Sequence, residues 1–437
     1  MRINLTDNSI GRAFHRNEVS ELFPIADKTI SELCRGNENL LIFPYSIENA
    51  DDRIGKSSIM SIQNTNDSEI VRIETSNVMG FIGVGGLQVK IKSRFDVNRD
   101  DYLLHYMLQK VLSFNLFDLS HNNEQEDVFD FIMFMFPYFL KTALRQGVYR
   151  EYQNYRHNDA NIKGTIDVGR HITRNVPFIG NIAYSTREYS HDNNMTELIR
   201  HTIEFMKTKK YGQAVLNIDR ETIENVETII EHTPLYNKNE RGGIISNNLR
   251  AKVHPYYTEY RPLQTLCLQI LRMEEVKYGE SDDEICGILF DGAWLWEEYI
   301  NTILCNLGFT HPQNKLCKGG IYLFDDHSGI RYPDFYKDNM VLDAKYKRLS
   351  SYEKVSKVDK NDIHQIITYM TSLHVDKGGF VVPLTQKQEK IPTSHLIDSS
   401  STISIFGIEI SKTKSSYVDF CEQMRIMEDI FIKSLSN

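Results

Sequence analysis

The spacing of apolar positions changes character along the chain. NLLIFPYSI at 39–47, SEIVRIET at 68–75 and LQVKIKSRF at 87–95 alternate or cluster β-forming residues between Asn, Asp and Gly breakers. That pattern predicts a strand-rich N-terminal region. Within it, GFIGVGGLQVKIKS predicts a hairpin turning at Val84-Gly85-Gly86. A helical period takes over in DYLLHYMLQKVLSFNLF and EDVFDFIMFMFPYFLKTAL. FIMFMF is apolar on nearly every side and so predicts a helix buried in a core. The stretch 155–175, YRHNDANIKGTIDVGRHITRN, is polar and punctuated by glycine, and reads as a loop or projecting hairpin rather than a packed element. Helical spacing resumes in NNMTELIRHTIEFMKTKK and RETIENVETIIEH, breaks at the Gly/Asn-rich NKNERGGIISNN, and continues in LQTLCLQILRMEEV.

The last third mixes the two periods. A helix at WLWEEYINTILCNLG precedes a strand GIYLFDD, a strand pair around IRYPDFY and MVLDAKYKR, a helix DIHQIITYMTSLH, and strands GGFVVPL and ISIFGIEI. Strands alternating with helices predict a mixed sheet flanked by helices. The chain is therefore expected to be α/β, or α+β taken as several domains. A strand-rich domain would span 1–115, a mainly helical region with a projecting loop at 161–174 would span 116–278, and a final α/β domain would span 279–437, the last boundary falling in the acidic, polar run Tyr278–Asp283.

Composition narrows the class. A length of 437 residues favours two or three domains, and 41% hydrophobic with 25% charged residues suits a globular chain. No window approaches a membrane span and no apolar signal core opens the chain, so a cytoplasmic protein without membrane contact is expected. Cys34, Cys267, Cys286, Cys305, Cys317 and Cys421 form no CxxC pair and read as buried free thiols, not a disulfide or zinc framework. A net charge of -9 argues against a uniform basic coat but leaves room for a local basic groove on nucleic acid.

One stretch names a chemistry. Pro333-Asp334 is followed by Asp343-Ala344-Lys345, the PD...(D/E)xK arrangement of metal-dependent nucleases. Phosphodiester hydrolysis needs carboxylates for a hard divalent cation and a cation near the attacking water or the phosphate. On a strand, Asp343 and Lys345 face one side, and Asp334 reaches them if the strands pair across Lys337-Asp338-Asn339. Asp343 leaves the apolar run Met340-Val341-Leu342, a costly place for a charge without a cation. Gln365 and Tyr369, four apart on the next helix, share a face that can line the site. The preceding helix offers Glu297 or Glu298 to complete the metal shell. The plain alternative leaves Asp334 in a turn and Asp343 with Lys345 as a surface pair. Ile54-Gly55-Lys56-Ser57 ends like a phosphate-binding loop, but Ala50 stands where that loop requires Gly, so no nucleotide hydrolase is expected in this chain.

These motifs, with IFPYS, SNVMGFIGVGGLQVKIKSRFD, NIKGTIDVGRHI and REYSHDNNMTELIRHTI in order before YPDF, LDAKYK and QIITYM, resemble the McrC subunit of McrBC-type restriction systems, especially the LlaJI-like branch. The resemblance implies a C-terminal PD-(D/E)xK endonuclease domain using Mg2+, with Asp334, Asp343 and Lys345 at the catalytic positions. It implies double-stranded DNA as substrate and an McrB-like AAA+ GTPase hexamer as partner. That partner would bind the GTP or ATP, and this chain would stimulate its hydrolysis. The segment Asn161 to Arg174 is the candidate for entering the ring, with Lys163, Arg170 and Arg174 as its cations. Pairing of two nuclease domains or assemblies is one arrangement for cutting both strands. Competing readings are a non-catalytic adaptor of the GTPase and a stand-alone repair nuclease.

Overall fold

The computed structural model describes residues 2–37, 40–44, 54–84, 87–96, 101–112, 126–209, 212–249, 254–278, 285–312, 319–348, 354–412 and 416–435. The turn glycines Gly85 and Gly86, most of the 278–283 boundary, Ala50 and Cys317 lie outside these residues. In chain order the first segment supplies β1 (Arg2–Thr6), β2 (Ile10–His15), α1 (Ile30–Gly36), β3 (Leu40–Phe43), β4 (Met60–Asn64), β5 (Ile70–Thr75), β6 (Val78–Val84), β7 (Leu87–Lys92) and α2 (Tyr102–Leu112). The middle supplies α3 (Glu126–Leu144), β8 (Glu151–Asp159), β9 (Thr165–Ile166), α4 (Val168–Asn175), β10 (Ile182–Ser190), α5 (Asn194–Lys207), α6 (Gly212–Leu216), α7 (Arg220–His232), α8 (Arg241–Asn248) and α9 (Tyr260–Tyr278). The last segment supplies β11 (Ile285–Asp291), α10 (Gly292–Leu304), β12 (Phe335–Lys337), β13 (Met340–Ala344), α11 (Lys360–Leu373), β14 (Lys377–Leu384), β15 (Thr393–His395), β16 (Thr402–Glu409) and α12 (Tyr417–Leu435).

The division into three consecutive parts is not the one the contacts make. Residues 1–122 and 282–437 form one compact unit, and 123–281 form the other. The reason is β11. ICGILFD is apolar along its length, with Ile288, Leu289 and Phe290 buried, and the backbone of so buried a strand needs hydrogen-bonding partners on both edges. It finds them in the N-terminal segment, pairing antiparallel with β6 and parallel with β3 in a sheet ordered β1-β7-β6-β11-β3. Gly80 of β6 is required there, because a Cβ at 80 would meet the Ile288 carbonyl oxygen at 2.3 Å. β6 and β7 form the expected hairpin, with Val84 opposite Leu87. In β7, Leu87, Val89 and Ile91 face the core and alternate with Gln88, Lys90 and Lys92. A second small sheet, β2-β5-β4, adds Val71 and Ile73 to the same core.

The second sheet of this unit runs β12-β13-β14-β16-β15, parallel through β13, β14 and β16 and antiparallel at its edges. The expected mixed sheet flanked by helices is thus present, with α11 packed on β13 and β14 and α12 on β16. The expected strand GIYLFDD forms only an isolated bridge, Ile321 to Arg331. Two buried polar knots fasten the layers. Glu428 of α12 accepts from Tyr106 Oη (2.7 Å) and Tyr299 Oη (2.8 Å) and from Lys110 Nζ (2.8 Å), joining α2, α10 and α12. Asp7 and Arg94, both buried, pair at 2.7 Å; Arg94 also donates to Asn77 Oδ1 (2.9 Å) and to the Tyr346 carbonyl oxygen, and covers the Tyr346 ring at 4.4 Å.

In the other unit α3, α5, α7 and α9 pack together, and Ile132 to Phe136 are buried as FIMFMF predicts. The break at NKNERGGIISNN holds α8. Its Asn248 donates to the Ile244 and Asn194 carbonyls and receives Gln264, so tertiary bonds override the two glycines. Of the two readings of the 155–175 stretch, the hairpin is the one present: β8 and β10 form a ladder of nine residue pairs, β9 joins it, and Asp167 caps α4. Among the described cysteines, Cys34, Cys267 and Cys421 are buried free thiols as expected, whereas Cys305 is exposed at the end of α10. No described helix is long and apolar enough to cross a membrane.

Two stability predictions follow from the buried charges. Arg94→Met strands Asp7 without its partner and lowers unfolding stability by about 3–5 kcal/mol, and Asp7→Asn in the same chain restores part of it, as read by urea denaturation. Glu197 of α5 is buried, and burial and then the neighbouring Asp192 push its carboxyl up to about 8. A carboxyl raised in the folded state keeps its proton there while the unfolded chain loses it, so stability falls as pH rises from about 4.5 to about 8. Glu197→Gln is expected to flatten that slope in thermal melts.

Candidate active site

Strand pairing builds the site from three short pieces. β12 and β13 are antiparallel with Phe335 opposite Leu342, across a turn in which Asp338 takes a left-handed φ of 46°. That register brings Asp334, just before β12, beside Asp343 in β13. The Ala344 N–H donates to Asp334 Oδ2 at 2.7 Å and fixes the carboxylate in place. Lys345 continues from β13, its N–H donating to the Val381 carbonyl at 2.9 Å. Its ammonium lies 2.7 Å from Asp343 Oδ2 and donates to Gln365 Oε1 at 3.1 Å. Gln365 Nε2 in turn donates to Tyr369 Oη at 2.9 Å, and Tyr369 Oη reaches the Tyr332 carbonyl at 3.4 Å. The five residues expected on this sheet and helix are therefore brought together, by hydrogen bonds and the Asp343–Lys345 ion pair.

α10 approaches from the other side. Trp296, fully buried, donates Nε1–H to the Val381 carbonyl at 3.1 Å, so the residue next to Glu297 is fixed on β14. His311 Nδ1 donates to the Asp334 carbonyl at 2.7 Å and stacks on Phe335. Its Nε2 lies 3.9 Å from Glu297 and 3.8 Å from Glu298. Glu297 is the glutamate whose charge acts on Asp334.

The electrostatics are those of a site short of positive charge. Burial pushes Asp334 well above the ordinary carboxylate range, and the charges of Glu297 and Asp343 add to it. Burial also raises Asp343, against the pull of Lys345. Glu297 is pushed to about 7 by desolvation, opposed by His311 and helped by Glu298 and Asp343. Its side chain is still 33% exposed, so water screens part of that effect. For Lys345, burial works against the charge, but Asp343, Asp334 and Asp362 outweigh it and hold the ammonium protonated. Asp343 Oδ2 is buried and accepts no hydrogen bond of regular geometry beyond the lysine contact.

Among the described residues no three His, Cys, Asp or Glu side chains make a ready cage for a metal ion. Magnesium does not need one: it is held by one or two carboxylates, with water and substrate phosphate filling the rest of an octahedron. Asp334, Asp343, Glu297 and the Ala344 carbonyl are hard oxygen donors of that type, and the mutual repulsion that raises Asp334 and Glu297 fits a cation.

Two neighbours were not read from the sequence. Asp362 sits 3.4 Å from Lys345 Nζ and 2.5 Å from Lys347 Nζ, and its place three residues before Gln365 on the same helix was the available signal. His311 left none, since it arrives through an isolated bridge between Thr310 and Tyr336. Lys163, Arg170 and Arg174 belong to the other compact unit. Lys163 and Arg174 are exposed there. Arg170 is not available as a free cation: Nη2 donates to the carbonyls of His157 (3.0 Å) and Tyr184 (2.6 Å), pinning α4 to β8 and β10.

These elements define a mixed α/β protein with a carboxylate and lysine cluster near one edge of a five-stranded sheet. The chain belongs to the family of McrBC 5-methylcytosine restriction system components, whose model matches residues 73–383. Solved structures similar to it include a chain of the refined half-complex from the tetradecameric assembly of Thermococcus gammatolerans McrB AAA+ hexamers with bound McrC, with 14% identity, 98% of this chain and 100% of that one covered, and a TM-score of 0.49. A chain of the cryo-EM Thermococcus gammatolerans McrBC complex is also similar, with 14% identity, 72% and 90% covered, and a TM-score of 0.33. No curated protein matches the chain.

Proposed function

We propose that this chain is the Mg2+-dependent PD-(D/E)xK endonuclease subunit of an McrBC-like restriction system, cutting double-stranded DNA when licensed by a partner AAA+ GTPase ring. The observation that carries the reading is the convergence of Asp334, Asp343 and Lys345, with Gln365 holding the lysine. Asp334 and Asp343, with Glu297 and the Ala344 carbonyl, would hold the ion. When bound, Mg2+ polarises the scissile phosphate and lowers the pKa of a coordinated water. Lys345, whose ammonium lies 2.7 Å from Asp343, is the cation that would orient the attacking water or offset charge growing on the phosphate. Gln365 and Tyr369 keep its ammonium aimed. A complete set of this kind favours catalysis over an adaptor role.

Family membership supports an McrB-like partner, and in the Thermococcus gammatolerans assembly McrC is bound to McrB AAA+ hexamers. The β8–β10 hairpin with α4 is the surface we assign to that ring. It exposes Lys163 and Arg174 and, in the same segment, the large apolar side chains of Val168, Ile172, Val176, Phe178 and Ile179.

Plasmid cleavage with Mg2+ and GTP or ATP, with and without the ring protein, tests the first part. Asp343→Ala and Lys345→Ala are expected to slow cutting by about 10²–10³ or more; cutting at the parent rate would remove the assignment. For the second part, Lys163→Ala with Arg174→Ala, and separately Ile172→Asp, are expected to lower stimulation of the partner's GTPase. Arg170→Ala should instead destabilise the hairpin, seen as faster amide exchange in β8 and β10. Unchanged stimulation by the surface variants would place docking elsewhere.

A further inference from the structure

Beside the site lies a cavity of about 410 Å³, within the roughly 300–1,000 Å³ range of small-ligand pockets. It shares Ala344 and Lys345 with the site and continues past Tyr346 and Lys347. Its opposite wall comes from the N-terminal segment, through Asn8 after β1, Ser57 before β4, and Ser76 and Asn77 between β5 and β6. This wall mixes Ile54 and Val78 with the polar Asn8, Ser57, Ser76 and Asn77, the side-chain types that contact sugar and phosphate oxygens without reading sequence.

Two lysines line the cavity. Asp362 is held between Lys345 on one oxygen and Lys347 on the other, so two ammonium groups sit side by side against one carboxylate. One faces the site and the other, with its side chain 46% exposed, leads into the cavity. The cavity's other acid, Asp291, already accepts from Asn77 Nδ2 at 2.9 Å and caps α10. We infer that this cleft seats the stretch of DNA backbone next to the scissile phosphate, with Lys347 as a phosphate contact and the Ser57 turn as the facing wall. The N-terminal sheet region is then part of the substrate channel. This rests on the nuclease reading: a phosphodiester held at Asp343 and Lys345 must continue somewhere, and this cleft opens directly from those residues.

The test measures duplex binding by the full chain in Ca2+, which replaces Mg2+ so that binding is read without relying on cleavage, over a range of salt. Ser57→Asp is expected to weaken binding about threefold to tenfold and Ser57→Lys to tighten it by a similar factor. A gain in affinity cannot come from misfolding. Lys347→Gln is expected to weaken binding and to reduce the slope of log Kd against log salt by about 1. If all three variants bind with the parent's Kd and slope while Asp343→Ala still abolishes cutting, the cleft assignment is overturned and the nuclease reading stands. If Asp343→Ala cuts like the parent, the nuclease reading falls and takes this inference with it.

Discussion

The site depends first on where β11 finds its partners. It pairs with β3 on one edge and β6 on the other, both from the N-terminal segment, and its last residue, Asp291, starts α10 by accepting from the Ala293 N–H at 2.9 Å. α10 carries Trp296, tied to β14, and then Glu297. Glu297 is therefore positioned from two sheets at once. A fragment beginning at residue 279 would leave β11 with both edges unpaired and α10 without the Asn77 bond to its capping residue. The chain's two ends fold as one unit because, among the described residues, N-terminal strands make the backbone hydrogen bonds on both edges of β11.

Charge is the second constraint. Asp343, Asp334 and Asp362 act on one well-placed ammonium, that of Lys345, while Glu297 and Asp343 raise the proton affinity of Asp334 and Asp343 raises that of Glu297. An arrangement built only for stability would not keep it, since replacing buried charges with apolar groups is often neutral or favourable. The rigid surroundings point the same way: Trp296 and Tyr299 are fully buried, Gln365 is locked to Tyr369, and Arg94 grips the carbonyl of Tyr346, the residue after Lys345. Such a shell keeps repelling groups at close quarters.

Much of this was legible in the sequence for physical reasons. PD and DAK flank a turn short enough to force pairing, so the approach of Asp334 to Asp343 followed from strand geometry alone. Gln365 and Tyr369 followed from helical spacing. Non-local contacts were not legible. β11 shows an apolar strand but not its distant partners, and His311 reaches the Asp334 carbonyl through loop geometry that no periodicity encodes. α8 forms in a Gly/Asn-rich stretch because Asn248 is held by bonds from elsewhere in the chain. The internal bonds of Arg170 were not legible for the same reason, since a cation in a polar segment gives no sign that two carbonyls will take its donors.

The β8–β10 hairpin shows how a polar segment can be ordered without a core. Burial along β8 alternates only between half-buried and exposed, so neither face is apolar enough to hold it by the hydrophobic effect. Order comes instead from cross-strand pairs: Tyr152 beside Tyr189 at 5.0 Å with Arg187 over the Tyr152 ring, and His157 stacked on Tyr184 at 4.9 Å. Arg170 then fastens α4 to the ladder. With its cation used inside, the segment still leaves Val168, Ile172, Val176, Phe178 and Ile179 in water. A hairpin stiffened by polar contacts and tipped with unburied apolar groups loses little entropy on docking and gains apolar burial only there. Under the proposed reading its apolar tip and the two exposed cations, and not a cluster of three, are what the partner ring meets.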